Sequence, residues 1–312
     1  MKILVTLLCC LVFAACNTGK KESAEKQPVV ISLLGKEYFE PERSEEAQKK
    51  LDDNLATAKE NWEKDPSEEN YVWYGRRLAY LSRFQQAIDV FTEGLEKYPN
   101  SAKLYRHRGH RYISMRLFDR AIYDLTKANQ LAPISPLEIE PDGAPNKLNK
   151  PLSSLQFNIR YHLALAYYLK GDYNNAIQMY QSCLTTCDND DLLVATVDWM
   201  YMTDMRSGHP EDAKSILGNI TENMTIIEND SYYKRCMMYQ GKLTPEALLE
   251  VGDNDEDKDL TLATQGYGVG NWYYYHGDTI KAKEIFEKVV AGKHFSSFGF
   301  IAAEADLARW KK

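Results

Sequence analysis

The side chains best suited to chemistry in this sequence are basic residues that recur at helical spacing in its first half. Between residues 68 and 135 there are 11 Lys and Arg against 7 Asp and Glu, whereas the whole chain of 312 residues has a net charge of −7. Arg76 and Tyr80 are four residues apart, as are Arg106 and His110, so each pair shares one face of a helix. Arg binds carboxylates and phosphates through two parallel hydrogen bonds, so this pattern predicts a surface for an anionic partner. The alternative is that these arginines pair with Glu93, Asp119, Asp124 and the acidic loop on a solvated face.

Metal, cofactor and catalytic chemistry find little support in the sequence. His107 and His110 are three residues apart, but neighbouring arginines repel a cation and no carboxylate completes a metal-binding set. The acidic run 253–259 begins like a calcium-binding loop, but Lys258 and Thr264 replace the required Gly and Glu, so we expect an acidic surface loop. No HExxH, GxSxG or phosphate-loop motif is present. We therefore expect a non-enzyme without metal or cofactor, and the net negative charge argues against nucleic acid as a partner.

The helices that position the basic residues repeat with a period of 34 residues. Within the first unit, apolar residues recur at three- and four-residue spacing on two successive stretches, which indicates two amphipathic helices. Gly75 and Ala87 are small, which lets the two helices of a hairpin approach each other closely. The matching pairs are Gly75 and Gly109, Phe84 and Phe118, Ala87 and Ala121, and Pro99 and Pro133. Two tandem copies predict an all-α chain of helical hairpins.

This spacing resembles that of the tetratricopeptide repeat, and the segment from Asp65 to Met202 is similar to a group of bacterial tetratricopeptide proteins. The resemblance implies helical hairpins stacked into a right-handed superhelix with capping helices, whose first helices line a concave groove for extended peptides. By that mapping the groove residues are Arg76, Tyr80, Lys103, Arg106, His110, Asn158, Tyr161 and Tyr168. The ligand of chaperone-binding relatives is not carried over, because Val72 and Arg76 stand where those proteins have Lys and Asn.

The rest of the chain divides less regularly. Ala176, Ala213 and Ala282 each centre a further repeat-like unit, for which an unrelated helical bundle is the alternative. A stretch with four prolines interrupts the period and predicts a long ordered loop. The expected segments are a signal peptide over 1–16, a tether and extended segment over 17–43, a capping helix over 44–65, two clear repeats over 68–135, a proline-rich loop over 136–156, two repeat-like units over 157–227, a degenerate unit with the acidic loop over 228–262, and a last unit with a closing helix over 263–312.

The N-terminus is typical of an exported lipoprotein. Lys2 precedes an uncharged run of 13 residues, shorter than the roughly 20 that a helix needs to span a bilayer. The run ends in Val-Phe-Ala-Ala-Cys, which resembles a bacterial lipobox in which Cys16 accepts a lipid with palmitate-type acyl chains. Because Asn17 is not the Asp that retains lipoproteins at the inner membrane, the resemblance implies the outer membrane, and we favour its periplasmic face. An ordinary secretory signal with an incidental cysteine is the alternative.

Two functions agree with these observations. The first is a non-catalytic, membrane-anchored scaffold that binds a protein or peptide partner with an anionic segment through a basic groove. The second is a lipoprotein receptor for a glycan or small ligand, with Tyr80, Tyr161 and Tyr168 as a stacking platform. We favour the scaffold, because the receptors that it would resemble are much longer chains.

Overall fold

The computed structural model describes residues 27–143, 146–250 and 255–311, with the backbone alone described for 255–258. The predicted signal peptide and Cys16 lie outside the described residues, as does the start of the acidic run. Within the described part, no helix is long and apolar enough to cross a bilayer. The elements are β1 (Val30–Ile31), β2 (Glu37–Tyr38), α1 (Glu45–Lys64), α2 (Glu68–Tyr80), α3 (Phe84–Lys97), α4 (Ala102–Ser114), α5 (Phe118–Leu131), α6 (Leu155–Lys170), α7 (Tyr173–Leu184), α8 (Asp190–Ser207), α9 (Pro210–Leu217), α10 (Asp230–Tyr239), α11 (Pro245–Leu249), α12 (Asp255–Tyr275), α13 (Thr279–Ala291) and α14 (Phe298–Trp310).

Successive helices pair into hairpins, as the 34-residue period predicts. The pairs are α2–α3, α4–α5, α6–α7, α8–α9 and α12–α13, with α10–α11 as a shorter, more weakly packed pair. A Cβ added to Gly75 would lie 2.2 Å from Cε1 of Phe91, and one added to Gly109 would lie 2.7 Å from Cγ of Leu125. The small residue therefore admits a large apolar side chain of the second helix. The predicted all-α architecture of tetratricopeptide hairpins is confirmed.

The turn inside each hairpin requires one residue with a left-handed backbone. In the first two hairpins this residue is Ser82, with φ of 63°, and Arg116, with φ of 61°, and these residues are again 34 apart. Later hairpins have glycine at the turn, as at Gly171 with φ of 87°. Non-glycine residues in this conformation cost about 1–3 kcal/mol, so the surrounding contacts must compensate at Arg116.

The predicted capping helix is observed as α1, which packs along α2. Its side chain Trp62 stacks on Tyr74, with the ring centroids 5.2 Å apart. The hydroxyl of Ser44 accepts a hydrogen bond from the amide of Ala47, so a serine N-cap fixes where the helix begins. α1 thus covers the apolar face that the first hairpin would otherwise expose.

The chain returns on itself at its C-terminal end. α14 packs against α12, α13 and α6, so it covers a side of α6 that the groove mapping leaves open. Thirteen of the sixteen residues of α6 are buried, against five of thirteen in α2, which shows that α6 is covered on both sides. The ring of Tyr38 from β2 stacks on Phe295 at 4.9 Å, so the N-terminal hairpin joins the same layer. The predicted closing helix α14 therefore covers the end of the stack and is also inserted between α6 and the last hairpin, α12–α13.

Two buried ion pairs hold this inserted helix. The guanidinium of Arg116 donates to both carboxylate oxygens of Glu304 at 3.1 and 2.9 Å, and Glu304 also accepts from the amide of Leu33 at 2.7 Å. Nη2 of Arg206 lies 2.8 Å from Oδ2 of Asp306. Because these groups are almost fully buried, removing one member would leave an uncompensated charge in the interior. Arg116 thereby joins the turn of the second hairpin to both ends of the described chain.

Two segment bounds differ from the sequence prediction. α6 begins at Leu155, two residues before the predicted start of the next unit at residue 157. Ser154 caps the first turn of α6, because its hydroxyl accepts a hydrogen bond from the amide of Phe157 at 3.1 Å. The acidic residues from Asp255 to Asp259 belong to the start of α12 and do not form the expected surface loop. Acidic residues favour the first turn of a helix because of its dipole.

Candidate functional site

The proline-rich insertion between α5 and α6 lies across the basic face of α2 and α4. Its residue Ile139 forms an antiparallel bridge with Ser154, and the amide of Leu155 donates to the carbonyl of Glu138 at 2.7 Å. The side-chain amide of Gln156 donates to the carbonyls of Pro133 and Pro136 at 3.0 and 3.1 Å. These bonds replace the regular backbone pairing that proline prevents, and they hold the segments 133–139 and 154–156 of the insertion in place.

Carboxylates of the insertion neutralise part of the basic face. Nζ of Lys103 lies 2.7 Å from Oε1 of Glu138, and Nη2 of Arg106 lies 3.1 Å from Oε2 of Glu140. The other oxygen of Glu140 is 3.3 Å from Nε2 of His107. Burial opposes the ionisation of Glu140, but the charge of Arg106 and the hydrogen bonds from His107 and Asn158 hold its pKa below the usual range. Two of the predicted groove cations are thus satisfied within the chain.

His107 is a neutral member of this cluster. Burial and the adjacent charge of Arg106 lower the pKa of His107 to about 3. Its Nδ1 lies 2.9 Å from Nη1 of Arg106, which can only donate, so the ring proton belongs on Nε2, facing Glu140. The ring also stacks on Phe91 at 5.8 Å, which places the imidazole in the hairpin core. His107 therefore orients Arg106 and Glu140.

The guanidinium groups at the end of α2 contact the insertion through its backbone. Nη2 of Arg76 donates to the carbonyl of Pro141 at 2.9 Å, and Nη1 of Arg77 donates to the carbonyl of Gly143 at 3.2 Å. Both guanidinium carbons lie over the ring of Trp73, at 4.4 and 4.9 Å from its centroid. Carbonyls and an aromatic face stabilise these cations without neutralising them. Positive charge therefore remains at this edge of the insertion.

Next to these groups is a cavity of about 130 Å³ that has no negative lining residue. Its polar lining comprises Arg76, Tyr80, Arg106, His107, His110 and Arg111. Among the described residues, no carboxylate lies within 4.0 Å of the guanidinium of Arg111, and Nε of Arg106 is buried without a hydrogen-bond partner. Burial and the charge of Arg106 lower the pKa of Arg111 to about 9, so its guanidinium is charged at neutral pH. The volume of the cavity and the positive charge of its lining both suit a small oxyanion.

A second cavity continues from the first. It has a volume of about 280 Å³ and shares Tyr80, His110 and Arg111 with the smaller one. Its further polar lining is the guanidinium of Arg43 and the hydroxyls of three serines, Ser82, Ser114 and Ser296. Ser296 is exposed, so this cavity reaches the surface where the chain enters α14. We name these two adjoining spaces the arginine cavity.

The structure brings together six of the eight residues predicted to line the groove. Arg76, Tyr80 and His110 line the arginine cavity, Arg106 lines its smaller part, Lys103 pairs with Glu138, and the side chain of Asn158 donates to Glu140. His110 is neutral, since burial and the charge of Arg111 lower its pKa well below the usual value. The sequence mapping overlooked Arg111, although it follows His110 directly and lies one turn after His107.

Two predicted groove residues are in the core, and that part of the mapping is wrong. Tyr161 is 6% exposed and packs against Tyr180 of α7, inside its own hairpin. Tyr168 is fully buried, and its hydroxyl lies 2.5 Å from that of Tyr267 in α12. The physical reason differs for the two residues: the later helix α12 covers Tyr168, whereas Tyr161 packs in the core of its own hairpin. Neither tyrosine is accessible to a ligand.

Comparison with known proteins agrees with the fold. Residues 157–190, which comprise α6 without its first two residues, α7 and the residues up to the start of α8, match the family model of the tetratricopeptide repeat. No curated protein sequence gives a significant match. The match covers 34 residues, and the described residues fold into stacked helical hairpins of the tetratricopeptide type.

Solved structures of tetratricopeptide-repeat proteins are similar at low sequence identity. One from Parabacteroides merdae is 13% identical, with the match covering 84% of this chain and 94% of that one at a TM-score of 0.47. YrrB, described as a tetratricopeptide-repeat protein with an unusual peptide-binding site, is 15% identical over 80% of this chain and 97% of its own, with a TM-score of 0.42. The tetratricopeptide domain of P58(IPK) is 11% identical over 85% and 95% of the two chains, with a TM-score of 0.25.

Proposed function

We propose that this protein is a non-catalytic scaffold that binds a protein or peptide partner, and that an anionic group of the partner enters the arginine cavity. Helical repeats of this type present binding surfaces for other chains. The observation that carries the proposal is the uncompensated charge of Arg111 beside Arg76. A guanidinium that is half-buried without a counter-ion is unfavourable, and a carboxylate or phosphate of the partner would supply the missing charge.

The distribution of ion pairs narrows the binding surface proposed from the sequence. Lys103 and Arg106 already have carboxylate partners in the insertion, so they hold that segment in place. Arg111 and the hydroxyls of Ser82 and Ser296 remain as donors for a ligand at the open end of the cavity, whereas Arg43 and Ser114 already donate to backbone carbonyls. The partner therefore needs one or two acidic groups at this position and does not need a long acidic stretch.

Site-specific photocrosslinking in cells tests this proposal. A benzophenone amino acid replaces Ser296, which is exposed at the mouth of the cavity, or Tyr123, which is 60% exposed on α5. We expect a defined crosslinked protein from position 296 that is absent from position 123. Adding Arg111→Gln should abolish that product, whereas Arg120→Gln, which changes an exposed arginine of α5, should preserve it. A product that persists in the Arg111→Gln protein would contradict the role of the cavity.

We also propose that the protein is anchored to the bacterial outer membrane by a lipid on Cys16 and faces the periplasm. The uncharged run before Cys16 and the polar segment after it support this proposal. Replacing Cys16 by Ala should transfer the protein from the detergent phase to the aqueous phase on detergent partitioning. Detergent-phase partitioning of the Cys16→Ala protein would contradict lipidation at this residue.

The glycan-receptor alternative loses its main support in the structure. It depended on a platform of three tyrosines, and two of these, Tyr161 and Tyr168, are buried. Only Tyr80 lies beside a cavity, where it contacts Arg76 at 3.3 Å through its hydroxyl. One tyrosine among arginines favours an anion over a neutral sugar. If the crosslinking yields no protein at position 296, binding of acidic glycans to the arginine cavity is the next measurement.

A further inference from the structure

A second, separate cleft has the opposite charge. It lies between α7, α8 and α9 and has a volume of about 570 Å³. Side-chain amides of Asn174, Gln178 and Gln181 line it from α7, and the carboxylates of Asp204 and Asp212 line it from α8 and α9. No arginine or lysine lines it. We name it the Asp204 cleft.

The carboxylate of Asp204 is buried in an unusual way. The residue is 1% exposed, yet its Oδ2 atom has no hydrogen-bond partner. No basic side chain in the described part of the chain lies within 4.0 Å of this carboxylate. Burial and the negative charge of Asp212 raise the pKa of Asp204 to about 6, and His209 opposes the shift. At neutral pH the cleft therefore contains an ionised carboxylate with no counter-charge.

The other acidic residues that are almost fully buried in the described part of the chain do not share this feature. Each of the six has a guanidinium or several amide donors within hydrogen-bond distance. They are Asp124 with Arg108, Glu140 with Arg106, Asp191 with the amides of Ile227, Glu228 and Asn229, Asp198 with Arg235, Glu304 with Arg116, and Asp306 with Arg206. The fold thus pairs these deeply buried acids, and Asp204, which lines an open cleft, is the exception among them. Oδ2 of the half-buried Asp142 also lacks a hydrogen-bond partner, but the positive charge of Arg76 acts on that carboxylate. A missing partner at this position indicates a ligand.

We propose that the Asp204 cleft binds an organic cation on an aliphatic stem, an ammonium or guanidinium group such as a lysine or arginine side chain presents. Asp204 would be its counter-ion and Asp212, which is exposed, would attract the cation at the mouth. An ammonium has three donors and a guanidinium has five, so further acceptors are needed, and the amide oxygens of α7 supply them. The side chains of Ile177, Met200 and Ile216 also line the cleft and suit the aliphatic stem.

The lining residues favour an organic cation over a metal ion. No group of three or more His, Cys, Asp or Glu in the described residues is arranged to hold a metal. A hard cation requires six or more oxygen ligands in one shell, whereas here the acceptors are spread along a cleft with an apolar wall. The cleft shares no lining residue with the arginine cavity, so this proposal stands independently of the proposed function.

Calorimetric titration with small probes tests the proposal directly. The probes are N-acetyl-lysine methylamide and N-acetyl-arginine methylamide, with cadaverine as a free diamine and N-acetyl-norleucine methylamide as the neutral control. We expect at least one cationic probe to bind and the norleucine compound not to bind. Preference for the amino-acid amides would indicate a peptide source of the cation, and preference for cadaverine would indicate a free amine. Binding of no cationic probe, or equal binding of the norleucine compound, would overturn the proposal.

Matched variants identify the residue that is responsible. Asp204→Asn keeps the size and removes the charge, and we expect it to weaken cation binding about 30-fold or more. Asp212→Asn alters an exposed residue that should not affect folding, and we expect a loss of a few fold. Asp188→Asn changes an exposed aspartate outside the cleft and should bind like the wild type. Unchanged affinity in both the Asp204→Asn and Asp212→Asn proteins would also overturn the proposal.

Discussion

Removing the buried charge of Asp204 should stabilise the unliganded protein, and by an amount that depends on pH. The folded state raises the pKa of this carboxyl from 3.8 to about 6, so it binds a proton more tightly than the unfolded state does. Stability is therefore lost as the pH rises from the unfolded pKa through the folded one, and about 3 kcal/mol is lost in total above pH 7. Asp204→Asn has no such loss. We expect the variant to be more stable than the wild type at pH 7.5.

The difference in unfolding free energy between variant and wild type has a constant part, because an amide and a protonated carboxyl differ in hydrogen bonding. Its change with pH is therefore the quantity that reports the charge of Asp204. Between pH 4.5 and 7.5 the advantage of Asp204→Asn should grow by roughly 2 kcal/mol. Urea unfolding followed by circular dichroism at both pH values measures it, with Asp188→Asn as a control that changes an exposed charge. A constant difference, or a less stable variant at pH 7.5, would refute the reasoning, since it would mean that Asp204 has a partner in the folded protein.

Two further predictions concern the inserted helix α14. Glu304→Gln removes the counter-ion of a buried arginine, so we expect a loss of about 3–5 kcal/mol in urea unfolding and faster proteolysis at both ends of the chain. Glu287→Gln, which changes an exposed glutamate of α13, should alter stability by less than about 0.5 kcal/mol. Gly299→Ala should also destabilise α14, because the new Cβ would lie 2.1 Å from the carbonyl oxygen of Ala263. We expect a lower melting temperature for this variant. An unchanged melting temperature would show that α14 can shift along α12.

The local part of the fold could be predicted because each hairpin is a short-range structure. The small residue at position 75 and the large one at position 91 are separated by 16 residues, and the same pairing recurs one period later. Periodicity alone specifies such contacts, since two helices joined by a tight turn have only one way to bury their apolar stripes. The capping helix follows for the same reason. The positions of α1 to α5 were therefore accessible from the sequence.

The contacts of the C-terminal segment could not be predicted in this way. Arg116 and Glu304 are 188 residues apart, and either residue alone is typical of a solvated helix face. The sequence contains no feature that pairs one buried charge with another at such a distance. Tyr168 was misplaced for the same reason, because its exposure depends on whether the distant helix α12 covers it. The lack of a counter-ion at Arg111 and at Asp204 can likewise be recognised only from a structure that gives the position of every neighbouring group.

The closed C-terminal end limits where a partner can bind. In an open superhelix the groove offers a continuous row of first-helix side chains, but here α14 and the β-hairpin occupy the space beside α6. The insertion covers a further part, over α2 and α4. What remains beside α2 and α4 is the arginine cavity, and the Asp204 cleft lies separately between α7, α8 and α9. In each of the two a buried ionic group lacks a partner, and these groups differ in sign. Such a surface should recognise a few charged side chains at fixed positions and should discriminate poorly among the residues between them. Scrambling a bound peptide while keeping its charged positions should therefore change its affinity less than neutralising one charge.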